Sequence, residues 1–374
     1  MPLNAGARSP RDLAPANVRA IAPYVPGKPV SETARELGLA EADILKLASN
    51  ENPLGSSPKA MEAIRGALGE LSWYPDGSGH DLKAAISARL AVGPEHIVLG
   101  NGSNDVLELA ARAFLTPADS AVYSRHAFMV YPLVVQAVGA RGIEVPAKEY
   151  GHDLPAMAAA IRPDTKLVFV ANPNNPTGTF VAWDEVRDFV AAVPDTALVV
   201  LDEAYGEYLP PEKRSPTTGW LAQFPNLVVS RTLSKAYGLA GLRVGYGLAH
   251  PEVAELMNRV RQPFNVNHLA MVAAAAALGD EAFIAESRRV NAAGLGQLAK
   301  GFERLGLSYI PSSGNFIAVR VGDAARVYDR LLREGVIVRP IAGYGMPEHL
   351  RVTVGTAPQN ERVLAALARA LREG

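Results

Sequence analysis

Seven short apolar runs recur between residues 97 and 248, at 97–100, 121–124, 142–145, 167–171, 197–201, 227–230 and 244–248. Most are nearly continuous in Val, Ile, Leu, Phe and Ala, as strands read when both faces of their sheet are covered. Helical stretches separate several of them, including 104–114 and 183–193. Strand–helix–strand repetition predicts an α/β fold with a mostly parallel central sheet of roughly seven strands and helices on both faces. Ligands in such sheets bind at the carboxyl ends of the strands, so the chemistry is expected just after these runs.

The texture changes on either side. Residues 1–30 hold six prolines with little periodicity and predict an extended arm. After about residue 275 comes a long helix (281–305), then strands at 307–311, 315–321, 336–339 and 350–354, a helix at 324–334 and a final helix. The expected division is an arm with part of a small domain (1–50), a large domain (51–274) and a small α+β domain (275–374). With 374 residues the chain is long enough for a core in each of the two larger units.

Composition narrows the chemistry. A formal net charge of −1 points away from nucleic acid or an anionic membrane as a main partner. The run MVAAAAAL at 271–278 is too short to span a bilayer and reads as a core helix. The absence of cysteine removes disulfides, thiolate metal sites and cysteine nucleophiles, and fits a cytoplasmic protein. Seven histidines without an H-x-x-x-H pair argue against a metal site.

Four segments follow strand ends. In Ser230-Arg-Thr-Leu-Ser-Lys235 and onward to Arg243, an apolar strand meets two hydroxyls, a lysine and an arginine. A lysine at a turn is usually a solvated charge. Beside Thr232, Ser234 and Arg243, which suit a phosphate, its amine suggests an imine to a phosphorylated aldehyde. Asp202, ending Val199-Val-Leu, is costly to bury without a cation and is either a cap or the partner of a cationic ring nitrogen. Tyr205 and Asn175, the latter in Asn172-Pro-Asn-Asn-Pro-Thr-Gly178, are candidate donors to a ring oxygen, although that Asn/Pro run is also a plain turn signal. Gly102, Ser103 and Asn104 lead from a strand into a helix, which makes an anion site. The match to G-x-G-x-x-G is too poor for a dinucleotide fold.

In this order and spacing, these segments resemble the class I/II aminotransferases, fold-type I enzymes that use pyridoxal 5′-phosphate (PLP). The similarity runs from Ala22-Pro-Tyr24 and Ala48-Ser-Asn-Glu-Asn-Pro53 to Leu350-Arg-Val-Thr-Val-Gly-Thr, and it is strongest to members that act on histidinol phosphate. The resemblance implies a homodimer with shared sites and small amino-acid and 2-oxo-acid substrates, with 2-oxoglutarate or glutamate completing the cycle. It implies Lys235 as cofactor attachment and proton carrier, Asp202 on the ring nitrogen, and Asn175 and Tyr205 on the phenolate. Gly102, Ser103, Asn104, Thr232, Ser234 and Arg243 hold the phosphate, and Tyr74 reaches the neighbouring subunit's cofactor. Arg351 grips the substrate carboxylate, with Asn50 as a second contact or a turn residue. Tyr24, Arg339 and Tyr344 are candidates for the far end of the substrate. Arg339 alone is equally well an exposed ion pair.

One position departs from the pattern. In Arg125-His126-Ala-Phe128, Phe128 stands where the family usually carries a stacking tyrosine, so stacking survives and a hydroxyl is lost. His126 is a pocket or a loop residue. Competing readings are an aromatic amino acid aminotransferase and a threonine-phosphate decarboxylase on the same frame. A DNA-binding regulator on this fold would need an added segment, and the first 50 residues show no helix-turn-helix pattern.

Overall fold

Strand formation follows the apolar runs closely. A computed structural model, describing residues 9–23 and 27–372, contains thirteen strands among those residues. They are β1 (Leu45–Lys46), β2 (Ile97–Gly100), β3 (Ser120–Ser124), β4 (Arg141–Val145), β5 (Thr165–Ala171), β6 (Leu198–Asp202), β7 (Leu227–Thr232), β8 (Gly245–Ala249), β9 (Tyr309–Ile310), β10 (Phe316–Arg320), β11 (Val336–Ile337), β12 (Arg339–Pro340) and β13 (His349–Thr353).

The seven expected runs form one sheet in the order β2-β8-β7-β6-β5-β3-β4. Every pairing is parallel except those of β8, which runs antiparallel to β2 and β7. The carboxyl ends of β2, β3, β5, β6 and β7 therefore share one edge. Successive side chains alternate between faces. On β6, Val199 and Leu201 enter one core cluster and Val200 the other. On β7, Val229 and Val228 divide the same way. The alanine-rich run becomes the His268–Leu278 helix, largely buried against the Pro58–Ala67 helix. No single helix among the described residues is long and apolar enough to cross a membrane.

A four-stranded antiparallel sheet, β12-β13-β10-β9, carries a separate cluster together with the Ala324–Arg333 and Ala357–Arg372 helices. The expected strand 336–339 is split. Its first part, β11, pairs in parallel with β1, while β12 joins β13. Leu45 and Leu47 thereby enter the C-terminal core. The Glu281–Arg304 helix bridges the clusters, with Ile284 in a large-sheet core and Leu298 and Phe302 in the C-terminal one.

The N-terminal arm is less extended than its prolines suggest. Pro10–Leu13 and Ala16–Arg19 form single helical turns, with Pro10 at a first helical position, where proline is tolerated, and Pro15 just before the second turn. Asn17 anchors the second turn by donating to the carbonyls of Gln136 and Ala137 at 3.0 and 3.1 Å.

Candidate active site

At the shared carboxyl edge lies a cavity of ≈ 270 Å³, closed on its far side by residues of the small sheet. Each strand end contributes. Gly102 follows β2 and opens the Ser103–Phe114 helix without a side-chain cap. The first N–H groups of that helix thus remain available to an anion. Gly102 sits at φ +82°, and a Cβ there would fall 2.3 Å from Nη2 of Arg243, so only glycine lets the guanidinium lie against this turn. Thr232 ends β7. Its hydroxyl donates to Ser234 Oγ at 3.0 Å, and Arg243 Nη1 donates to the same oxygen at 3.3 Å. Arg243 holds a left-handed backbone, φ +58°, which turns the chain back into β8. This end of the cavity is a cradle of hydroxyls, one fork-shaped cation and open N–H groups.

The opposite end carries the carboxylate. Asp202 ends β6 and is buried. It accepts from the Tyr131 hydroxyl at 2.9 Å and the Ala204 N–H at 3.2 Å. Burial pushes its pKa up to about 6, although both donors pull the other way. Tyr131 is stacked on Phe169, with rings 4.9 Å apart, and meets Phe128 edge-on at 5.9 Å. Sequence reasoning passed over Tyr131. Its signal is the spacing of three from Phe128, which puts both on one turn at the start of the Val130–Val138 helix.

Lys235 lies between the two ends, with Nζ donating to the Ser49 carbonyl at 3.1 Å. Burial, and then the Arg351 charge, depress its pKa to about 8. A partly neutral amine next to a phosphate cradle and a buried carboxylate is the donor set that PLP requires, so the residues fit that cofactor.

Arg351, on β13, is buried and held from two sides. Nη1 donates to Asn175 Oδ1 at 2.5 Å and Nη2 to the Ala48 carbonyl at 2.8 Å. Asn50, buried with φ +56°, donates through Nδ2 to the Tyr205 hydroxyl at 2.8 Å and accepts from the Thr353 hydroxyl. Burial raises the Tyr205 pKa, and the Arg351 charge opposes it. The structure therefore links Asn50 to Tyr205 and Asn175 to Arg351. Arg339 lines the cavity opposite Arg351 in register, and Phe128 and buried Tyr344 line it too.

Two candidates lie elsewhere, and a third is not described. Tyr74 is 84% exposed, stacked on Phe264 at 4.9 Å, and is not among the residues lining this cavity. His126 sits in a loop, with Nδ1 2.5 Å from the Tyr344 carbonyl. Tyr24 falls outside the described residues.

Residues 42–367 match the family model for aminotransferase class I and II. Histidinol-phosphate aminotransferase 1 of Thiobacillus denitrificans is 62% identical over 358 residues, covering 96% of this chain and 93% of that protein. Histidinol-phosphate aminotransferase 2 of Nitrosospira multiformis is 60% identical over 361 residues, covering 96% and 92%. The crystal structure of histidinol-phosphate aminotransferase from Sinorhizobium meliloti in complex with pyridoxal-5′-phosphate superposes with a TM-score of 0.88, at 31% identity and over 96% and 97% of the two chains. The chain belongs to the aminotransferase class I and II family.

Proposed function

We propose that this enzyme uses PLP to transfer an amino group between histidinol phosphate and 2-oxoglutarate. The observation that carries this reading is the convergence of Lys235, Asp202, Arg351 and the Arg243 cradle on one cavity, in a chain about 60% identical to enzymes of that name. When bound, PLP supplies an electron-accepting ring that stabilises a carbanion at the substrate Cα.

The chain's residues do the rest. Lys235 is the attaching amine and, once displaced, would carry the proton from the substrate Cα to C4′ of the cofactor; an amine pKa near 8 suits that exchange near neutrality. Asp202, kept in place by Tyr131, holds positive charge on the ring nitrogen. Asn175 and Tyr205 serve the phenolate oxygen. Thr232, Ser234, Arg243 and the turn Gly102-Ser103-Asn104 bind the phosphate, and Phe128 packs on the ring. Arg351 clamps the substrate carboxylate as a bidentate fork, with Asn50 beside it. Arg339, Tyr344 and Tyr24 address the far phosphate and imidazole.

The same reading includes a cytoplasmic homodimer. Exposed Leu68, Leu71, Trp73, Tyr74 and Phe264 support it, since so much apolar surface in one region is a mark of an interface. In it, Tyr74 serves the partner subunit's cofactor. The separate core clusters support a large cofactor domain at 51–274 and a small domain at 275–374, to which part of 1–50 contributes.

A visible absorption titration tests the reading. The purified enzyme should show an imine band that shifts with glutamate or histidinol phosphate. A kcat/KM higher for phenylalanine than for histidinol phosphate would overturn the substrate, and carbon dioxide release without amino transfer would overturn the reaction.

A further inference from the structure

Strands β6 and β7 present Asp202 and Thr232 to the catalytic cavity. The next residue along β6's exit, Glu203, and the preceding residue on β7, Arg231, must point to the opposite face. There they form a buried two-pronged ion pair, with Arg231 Nε and Nη2 donating to Glu203 Oε2 at 3.0 and 2.8 Å. This pair lines a second cavity of ≈ 380 Å³, separate from the catalytic one.

The charges around it do not balance locally. Four arginines, Arg89, Arg214, Arg231 and Arg288, face three glutamates. Glu203 is committed to Arg231, and Glu281 to Arg89. Burial pushes the third, Glu207, toward its neutral form. Among the described residues, no carboxylate lies within ion-pair reach of Arg214 or Arg288, and Arg288 Nε is buried without a hydrogen-bond partner. Burial and the neighbouring Arg214 charge both lower the Arg288 pKa, and Glu281, already bonded to Arg89, opposes them only in part. Two guanidinium forks that repel each other at a cavity wall are the arrangement that a shared bidentate acceptor relieves.

We propose that this cavity is a second ligand site, binding a compact phosphate-type dianion between Arg214 and Arg288, on the face of the sheet opposite the catalytic cavity. The ligand's oxygens accept from both guanidinium forks, including the orphaned Nε, and the Glu203–Arg231 pair forms the floor. Its size excludes nothing as small as inorganic phosphate, and its polar walls do not suit an apolar group.

The test uses PLP-loaded enzyme, so that the cofactor cradle is already filled, titrated with inorganic phosphate against chloride at constant ionic strength. Phosphate should raise Tm saturably, by roughly 2–4 °C. Arg288→Gln combined with Arg214→Ser should abolish that rise and leave kcat unchanged. No saturable rise in the wild type overturns the proposal. So does a rise that persists in the double variant, because it then belongs to the catalytic cavity. Should the double variant fail to fold, Arg214→Ser alone at its exposed position decides, and an undiminished rise there overturns the proposal.

Discussion

At the residue scale, Asp202 shows how function opposes stability. In the folded, cofactor-free chain it keeps its proton to about pH 6, against 3.8 ordinarily. Between those values the folded state binds more protons than the unfolded state, so stability falls as pH rises through the window. Above it the fold carries a cost of about 3 kcal/mol. Asp202→Asn should therefore raise the Tm of the cofactor-free protein at pH 8 but not at pH 4, while reducing kcat at least ~100-fold; paired thermal melts and turnover assays check both. Tyr131→Phe removes a hydrogen bond to an ionised acceptor, worth roughly 1.5–3 kcal/mol. It should weaken PLP retention on dialysis without unfolding the chain. Lys235→Ala should abolish both turnover and the imine band, and wild-type activity in that variant would overturn the cofactor assignment. Asp202 stood out in the sequence because it ends an apolar run with a charge, and Lys235 because it shares a polar turn with Thr232, Ser234 and Arg243. Tyr131 did not, because its role depends on a hydrogen bond to a residue 71 positions away.

At the scale of elements, the Glu281–Arg304 helix shows what side-chain volume decides. A Cβ at Gly301 would lie 2.4 Å from a Leu364 methyl, whereas one at Gly296 on the same helix meets open space. Gly301→Val should cost roughly 1–3 kcal/mol by overpacking. Gly296→Ala should stabilise the helix by about 0.5–1 kcal/mol. Denaturant midpoints at unchanged m-value separate the two, and an equal effect of both would mean that the helix does not pack as described. Six of the seven large-sheet strands, all but the mostly exposed edge strand β4, were visible because they are buried on both faces and carry an apolar signature. The antiparallel sense of β8 was not, because a buried strand reads the same in either direction. The split of 336–339 between two sheets was also hidden, since the partners, β1 and β13, are set by long-range packing.

At the scale of the molecule, the exposed aromatic group around Trp73, Tyr74 and Phe264 is a surface that a single chain leaves in water. If it is the dimer interface, Trp73→Glu with Tyr74→Glu should shift sedimentation toward monomer and make activity fall on dilution. An unchanged mass would place the interface elsewhere. The order of strands and turns, the lysine of the turn after β7, the hydroxyl-and-arginine cradle and the acidic strand end were determined by the sequence itself, because each is a local pattern of residue type and spacing. Tertiary structure alone decided which of them touch. It placed Asn50 on Tyr205 and Asn175 on Arg351, brought Tyr131 under Asp202, and set Arg231 and Glu203 behind the sheet. Those contacts join segments up to 176 residues apart, and no local pattern encodes a distance closed only by packing the sheet and the small domain together.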